Sequence, residues 1–233
     1  MRFSPGVVAG FHWLVQMLSN PGDAVIVNTP VYYPFLQAVT NNERKLITSE
    51  LVNEDGEYTI DFEDFEKKII DNDVKAFILC SPHNPVARVW TKEELTRMFE
   101  ICHRHHVYVI SDEIHQDFVF GDKKQTPSYL MTEHWDEILT ITAPSKTFNL
   151  AGLIGSYHII YNSYLRDRVC MEGKMTNYNS MNVLSMHALI AAYSKEGMEW
   201  VDELRTVLDT NISYAMEFIR REFPAATRRH RPD

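Results

Sequence analysis

The sequence lacks most of the features that would narrow its class at once. It has three cysteines, Cys80, Cys102 and Cys170, far apart and with no CxxC pair. That count and spacing offer neither a disulfide framework nor a metal-binding pattern, and suit a reducing compartment. No apolar run approaches the length needed to span a bilayer, and the N-terminus has no signal-peptide pattern. Basic surface is scarce as well. The formal net charge is −9, and the one basic cluster, "RRHRPD", is at the extreme C-terminus. A nucleic-acid surface needs a patch of Lys and Arg to neutralise phosphates, so that class is excluded. There is no internal repeat and no low-complexity linker. What is present is ordinary for a soluble globular chain: 233 residues, 45% hydrophobic and 24% charged. The length allows one large α/β domain, or one domain and a fragment of another, and a cytoplasmic protein is expected.

The order of elements is readable in outline. "GVVAGFHWLVQMLS" has apolar residues at helical spacing and stops at the turn "NPGD". "AVIVNTP" predicts a strand, "YYPFLQAVTNN" a helix, and "ERKLITSELV" a second strand. "TIDFEDFEKKII" predicts a helix capped by Thr59 or Asp61, with acids early and lysines late as the helix dipole favours. "VKAFILCSP" is a continuous apolar run of the kind buried on both faces of a parallel sheet. Thr91 and Glu94 form a capping-box pattern ahead of an amphipathic helix, and "VYVISDEI", "EILTITAPS" and "GSYHIIYN" follow as strands. Helical patterns dominate from about Leu165. Strands alternating with helices predict an α/β fold with a mostly parallel sheet, in which ligands bind beyond the carboxyl ends of the strands.

Three of those strand ends carry chemistry: "CSPHNP", "ISDEIHQD" and "TAPSKTFN". Each is weak alone. Asn84 before proline fits a turn, Asp112 and Glu113 fit a helix cap, and Lys146 fits a surface lysine on a first helical turn. Together, at successive ends of one sheet, they face a common crevice. A lysine in a partly apolar site has a lowered amine pKa and forms Schiff bases with carbonyl compounds, pyridoxal phosphate (PLP) among them. PLP acts as an electron sink when its pyridine nitrogen is protonated, which calls for a carboxylate such as Asp112. Asn84 could donate to the phenolic oxygen. A phosphate needs backbone N–H groups at a helix start, as in "SPGVV", and a hydroxyl such as Ser145.

"SPHNPVARVWTKEEL", "VISDEIHQDFVFG" and "APSKTFNLAGL" resemble the signature segments of fold-type I PLP enzymes, the class I/II aminotransferase superfamily. With "TPVYYPF" and "SDEIH" they are more narrowly similar to its MalY/PatB-type cystathionine β-lyase (C–S lyase) branch. The resemblance runs from about Phe3 to about Pro224, and the order of the motifs makes it specific. It implies a three-layer α/β/α large domain of the aspartate aminotransferase-like fold over residues 1–224, and a homodimer. It makes Lys146 the lysine bonded to the cofactor aldehyde and Asp112 the partner of the pyridine nitrogen. Asn84 and His115 neighbour the phenolic oxygen, and Tyr32, rather than Tyr33, stacks on the ring. Gly6, Val7, Val8 and Ser145 hold the phosphate.

Departures from the family pattern are as telling. An arginine often found eight residues after the lysine is Ile154 here, which fits the lyase branch and leaves the phosphate fewer charges. The usual glycine after "NPV" is Ala87, tolerable if that position needs no positive φ. Members of the family continue before the position of Met1 and past Phe223, where a small domain carries the arginine that grips the substrate carboxylate. The chain is therefore expected to be the large domain of a longer enzyme, with residues 225–233 the start of the small domain or a ragged end. The implied activity is C–S β-lysis of cystathionine or cysteine-type substrates. The alternatives are an aminotransferase and a catalytically incomplete PLP-binding fragment. "HRHH" at residues 103–106 reads as solvated histidines near a helix end rather than as a metal site.

Overall fold

Alternation of β-branched runs with amphipathic segments does produce a sheet layered between helices. The computed structural model describes residues 1–121, 125–178 and 180–224. In chain order the strands are β1 (Arg2–Ser4), β2 (Ala24–Thr29), β3 (Lys45–Glu50), β4 (Val52–Glu54), β5 (Glu57–Thr59), β6 (Val74–Cys80), β7 (Tyr108–Asp112), β8 (Ile138–Thr142) and β9 (Ser156–Ile160). The helices are α1 (Val7–Leu18), α2 (Pro34–Thr40), α3 (Phe62–Asn72), α4 (Lys92–Arg104), α5 (Ser163–Met175), α6 (Val183–Ala192) and α7 (Lys195–Glu222). A seven-stranded sheet runs β1-β9-β8-β7-β6-β2-β3. Pairs from β3 to β8 along that order are parallel, whereas β9 and β1 join antiparallel at one edge.

Two apolar layers, one on each face, explain the continuous hydrophobic runs of β2, β6 and β8. On one face Phe65, Phe77, Leu79, Leu95 and Met98 pack beneath α3 and α4. On the other, Phe11, Leu14, Phe35, Ile78, Ile110 and Ile141 pack beneath α1 and α2. Removing each such side chain from water stabilises the fold by roughly 1.5–3 kcal/mol. The helix starts follow local chemistry. Asp61, not Thr59, caps α3, its side chain accepting from the N–H groups of Glu63 and Asp64 at 3.1 and 3.0 Å. Thr91 and Glu94 form the expected capping box at 3.1 and 2.8 Å.

Two local expectations are corrected. The strand expected to run through Val52 ends at Glu50, and Val52 instead opens the separate β4–β5 hairpin. The segment after Lys146 is a series of turns with a short 3₁₀ helix over Ala151–Leu153, rather than an α-helix.

Gly10 lets α1 lie close against the sheet: a Cβ there would sit 2.1 Å from Ile141 Cδ1 and 3.0 Å from His158 Cε1. Gly10→Ala is expected to lower stability by about 1–3 kcal/mol, the usual cost of overpacking, measurable as a lower urea midpoint. An unchanged midpoint would show that α1 can lift off the sheet freely.

Candidate active site

Register brings the polar strand ends together. Cys80 pairs with Asp112 across β6 and β7, and Asp112 with Ile141 across β7 and β8. The ladder continues one step further, with Ser81 N–H donating to the Asp112 carbonyl and Glu113 N–H to the Ile141 carbonyl, both at 2.9 Å. The loops leaving these ends carry Asn84, His115 and the pair Ser145–Lys146. From neighbouring β2 comes Tyr32, whose N–H donates to the Asn84 carbonyl at 3.0 Å.

A cavity of about 300 Å³ opens at this edge, and Lys146, Asp112, Asn84, His115, Tyr32 and Ser145 all line it. So do Gly6, Val7 and Val8 at the start of α1. The nine residues that the resemblance assigns to the cofactor therefore border one space. Sequence reasoning missed Cys80 and Ala143, which line it from the strands, because neither carries a motif signal. Cys80 Sγ also organises the loop above it, accepting from the Asn84 N–H at 3.3 Å and donating to the Pro82 carbonyl at 3.4 Å. A wider groove of about 620 Å³ lies between the β7 loop and α7, lined in part by Asp117 and Arg205, and none of the sequence-predicted residues borders it.

The electrostatics of the cavity centre on Asp112. It is buried, and burial pushes its carboxyl up to about 7 against the opposing effects of the Ile114 N–H and the Lys146 charge. Its Oδ1 accepts from Ile114 N–H at 3.0 Å. A buried carboxylate so costly to ionise fits a cationic N–H donor brought into the cavity, since such a partner favours the charged form. Burial, and then the Lys146 charge, hold His115 below the ordinary histidine value, so its ring is neutral at pH 7. Glu113 is raised by burial too, but turns away from the cavity and accepts from Ser111 Oγ at 3.1 Å and Ser128 N–H at 2.9 Å.

The start of α1 fits an anion. Gly6 is its N-cap at φ 89°, with no side-chain cap to the first-turn N–H groups, and Val7 and Val8 border the cavity. A Cβ at Gly6 would stand 3.3 Å from Ile154 Cγ2, so glycine serves both the backbone angle and the space. Ile154 itself has φ 54° and is exposed, placing an apolar side chain where a guanidinium is common in the family.

Two expectations about individual residues are corrected here. Lys146 is not enclosed in apolar surroundings: it is exposed, because it rides a tight turn at the open side of the cavity. Ala87 does adopt a positive φ, 52°, so the exchange for glycine carries a backbone cost of about 1–2 kcal/mol. The histidines of residues 103–106 have carboxylate neighbours from remote elements, His103 with Glu137 at 3.0 Å and His105 with Glu66 at 2.9 Å. Among the described residues no group of three or more such side chains converges as metal ligands do.

Residues 2–224 match the family model described as Aminotransferase class I and II. The chain belongs to that family. Among curated members it is 42% identical over 225 residues to cystathionine beta-lyase PatB of Bacillus subtilis, covering 96% of this chain and 58% of that protein. It is 35% identical to protein MalY of Escherichia coli, covering 95% of this chain and 56% of that one. Its fold matches the crystal structure of cystalysin from Treponema denticola, which contains a pyridoxal 5'-phosphate cofactor. The TM-score is 0.92 at 39% identity, over 96% of this chain and 57% of that one. This class I and II chain thus spans a little over half the length of the relatives it matches.

The raised Asp112 carboxyl has a measurable consequence in the ligand-free chain. An acid whose folded pKa is raised keeps its proton longer in the folded state, so stability falls as pH rises from about 4 toward about 7. Asp112→Asn is expected to remove that contribution. It should raise the melting temperature at pH 8 relative to the parent and leave it nearly unchanged at pH 4. Equal effects at both pH values would contradict a carboxyl held near 7.

Proposed function

We propose that residues 1–224 form the PLP-binding large domain of a C–S β-lyase that releases pyruvate, ammonia and a thiol from cystathionine or other cysteine-type substrates. The observation that carries this reading is a lysine, a buried carboxylate and a glycine-capped helix start bordering one cavity at the ends of parallel strands. Similarity to PatB, MalY and cystalysin supports the lyase over other reactions of the family.

When bound, PLP supplies an electron sink for the pair left on the substrate Cα after proton removal. The chain's residues divide the remaining work. Lys146 would hold the cofactor through its Nζ, and its amine would take the Cα proton. Asp112 would hold the proton on the pyridine nitrogen, a cationic partner that favours its ionised form despite burial. Asn84 and His115 hold the phenolic oxygen, with the neutral His115 ring able to donate or accept. Tyr32, which lines the cavity, would cover the ring face. The first-turn N–H groups of Val7 and Val8, with the Ser145 hydroxyl, would hold the phosphate, while the Gly6 N–H donates to the Ser4 carbonyl at 2.9 Å and shapes the helix start. In the lyase the Cβ–S bond breaks, the sulfur leaves as thiolate, and the released enamine hydrolyses to pyruvate and ammonia.

We further read the protein as cytoplasmic and homodimeric. Exposed apolar side chains on α6, Val183, Leu184 and Ile190, suit an interface with a second copy. Aminotransfer is the second reading, favoured by the name of the matching family model. It shares proton removal by Lys146 and differs in the fate of the carbanion.

Incubation with PLP and cystathionine, with and without a 2-oxo acid, separates the two. Pyruvate and thiol are expected without an acceptor, and Lys146→Ala should lower their release by at least about 10²-fold. Strict dependence on the 2-oxo acid would assign an aminotransferase. Full turnover in Lys146→Ala would remove the lysine from the chemistry.

A further inference from the structure

Lys146 is exposed, so its amine is aimed by the turn that carries it and not by packing around the side chain. Hydrogen bonds within that turn, Phe148 N–H to the Pro144 carbonyl at 2.9 Å and Leu150 N–H to the Ser145 carbonyl at 3.0 Å, set its shape. They do not set its place over the sheet. That falls to the residues that follow Lys146. Thr147 is buried, and its Oγ1 donates to Asp117 Oδ2 at 2.7 Å. Phe148 stacks on Trp200 of α7 with ring centroids 6.0 Å apart.

Asp117 lies two residues past His115, on the loop that leaves β7 just beyond Asp112. Its backbone carbonyl accepts from Arg205 Nε at 2.7 Å, and Arg205 is itself held by Asp202 at 3.0 Å on the same helix. A short hydrogen bond to a carboxylate thus ties the loop carrying Lys146 to the loop that leaves β7 after Asp112 and carries His115. The bond is braced from behind by α7. Hydrogen bonds to ionised acceptors are roughly twice as strong as neutral ones, and Thr147 is shielded from water that would compete for its donor.

We infer that Thr147 and Asp117 are a positioning pair, which fixes where the Lys146 amine stands relative to Asp112 and His115. This rests on the reading of Lys146 as the attachment point of PLP and adds to it two residues that do not border its cavity.

Borohydride reduction after timed mixing with PLP reads the rate of covalent attachment to Lys146 without requiring turnover. Thr147→Val keeps the volume and loses the donor, and is expected to slow trapping by about 10- to 100-fold, the scale of an ångström misplacement. It should also shift the pH midpoint of the PLP absorbance band. Thr147→Ser restores the hydroxyl and should recover most of the rate. Asp117→Asn, which keeps the shape and loses the charge, is expected to fall between the parent and Thr147→Val. Because it is isosteric, it keeps the inference testable should the valine variant not fold. The double variant should be no slower than the slower single one, since both remove the same bond.

Trapping at the parent rate in Thr147→Val would overturn the pairing. So would a serine variant as slow as valine, or additive losses in the double variant, since either points to packing alone. A parent chain that forms no reducible adduct, or a Lys146→Ala variant that still forms one, would remove the PLP reading and this inference with it. A normal parent adduct with an indifferent Thr147→Val removes the inference only.

Discussion

Parallel pairing of β6, β7 and β8 is the constraint on which everything else in the site depends. Parallel strands deliver their carboxyl ends to the same edge, and the register of Cys80 with Asp112 and of Asp112 with Ile141 aligns the loops that follow. A slip of one residue would turn Asp112 to the opposite face, because side chains alternate along a strand. The apolar layers on both faces guard against that slip. Ile110 and Ile141 are fully buried on one side, and Ile138 packs into the opposite layer.

That same burial sets the chemistry. Asp112 sits at the end of a strand built to exclude water, so its charge is expensive until a cationic partner arrives. Polar groups nearby are handled differently. Glu113, its neighbour in sequence, meets two serine donors, Ser111 Oγ and Ser128 N–H, and so has a structural role. Two adjacent carboxyls therefore part ways: one is satisfied internally and one borders the cavity.

The start of α1 borders the same cavity and offers backbone donors and no side-chain charge. The helix can come so close because Gly6 and Gly10 present no Cβ to Ile154 and Ile141. Lys146 borders the same cavity on a turn held by Thr147 and Phe148. The cavity lysine is thereby anchored to α7 through Asp117, Arg205 and Trp200.

Much of this was legible in the residues alone. Apolar runs such as 74–80, the capping box at Thr91 and the motifs around Asn84, Asp112 and Lys146 determined the α/β class and nominated the polar side chains bordering the cavity, Cys80 excepted. Those signals are local: period, capping and residue type act within a few positions. Other features depended on contacts made across the chain. The antiparallel edge of β9 and β1 joins residues more than 150 apart, as the Ser4–Ser156 hydrogen bond does. The exposure of Lys146, the left-handed backbone at Ala87 and Ile154, and the Thr147–Asp117 bond across 30 residues were likewise invisible in the sequence. A side chain's type shows which chemistry it can do, whereas its exposure, backbone angle and partners are fixed only when distant segments pack against it.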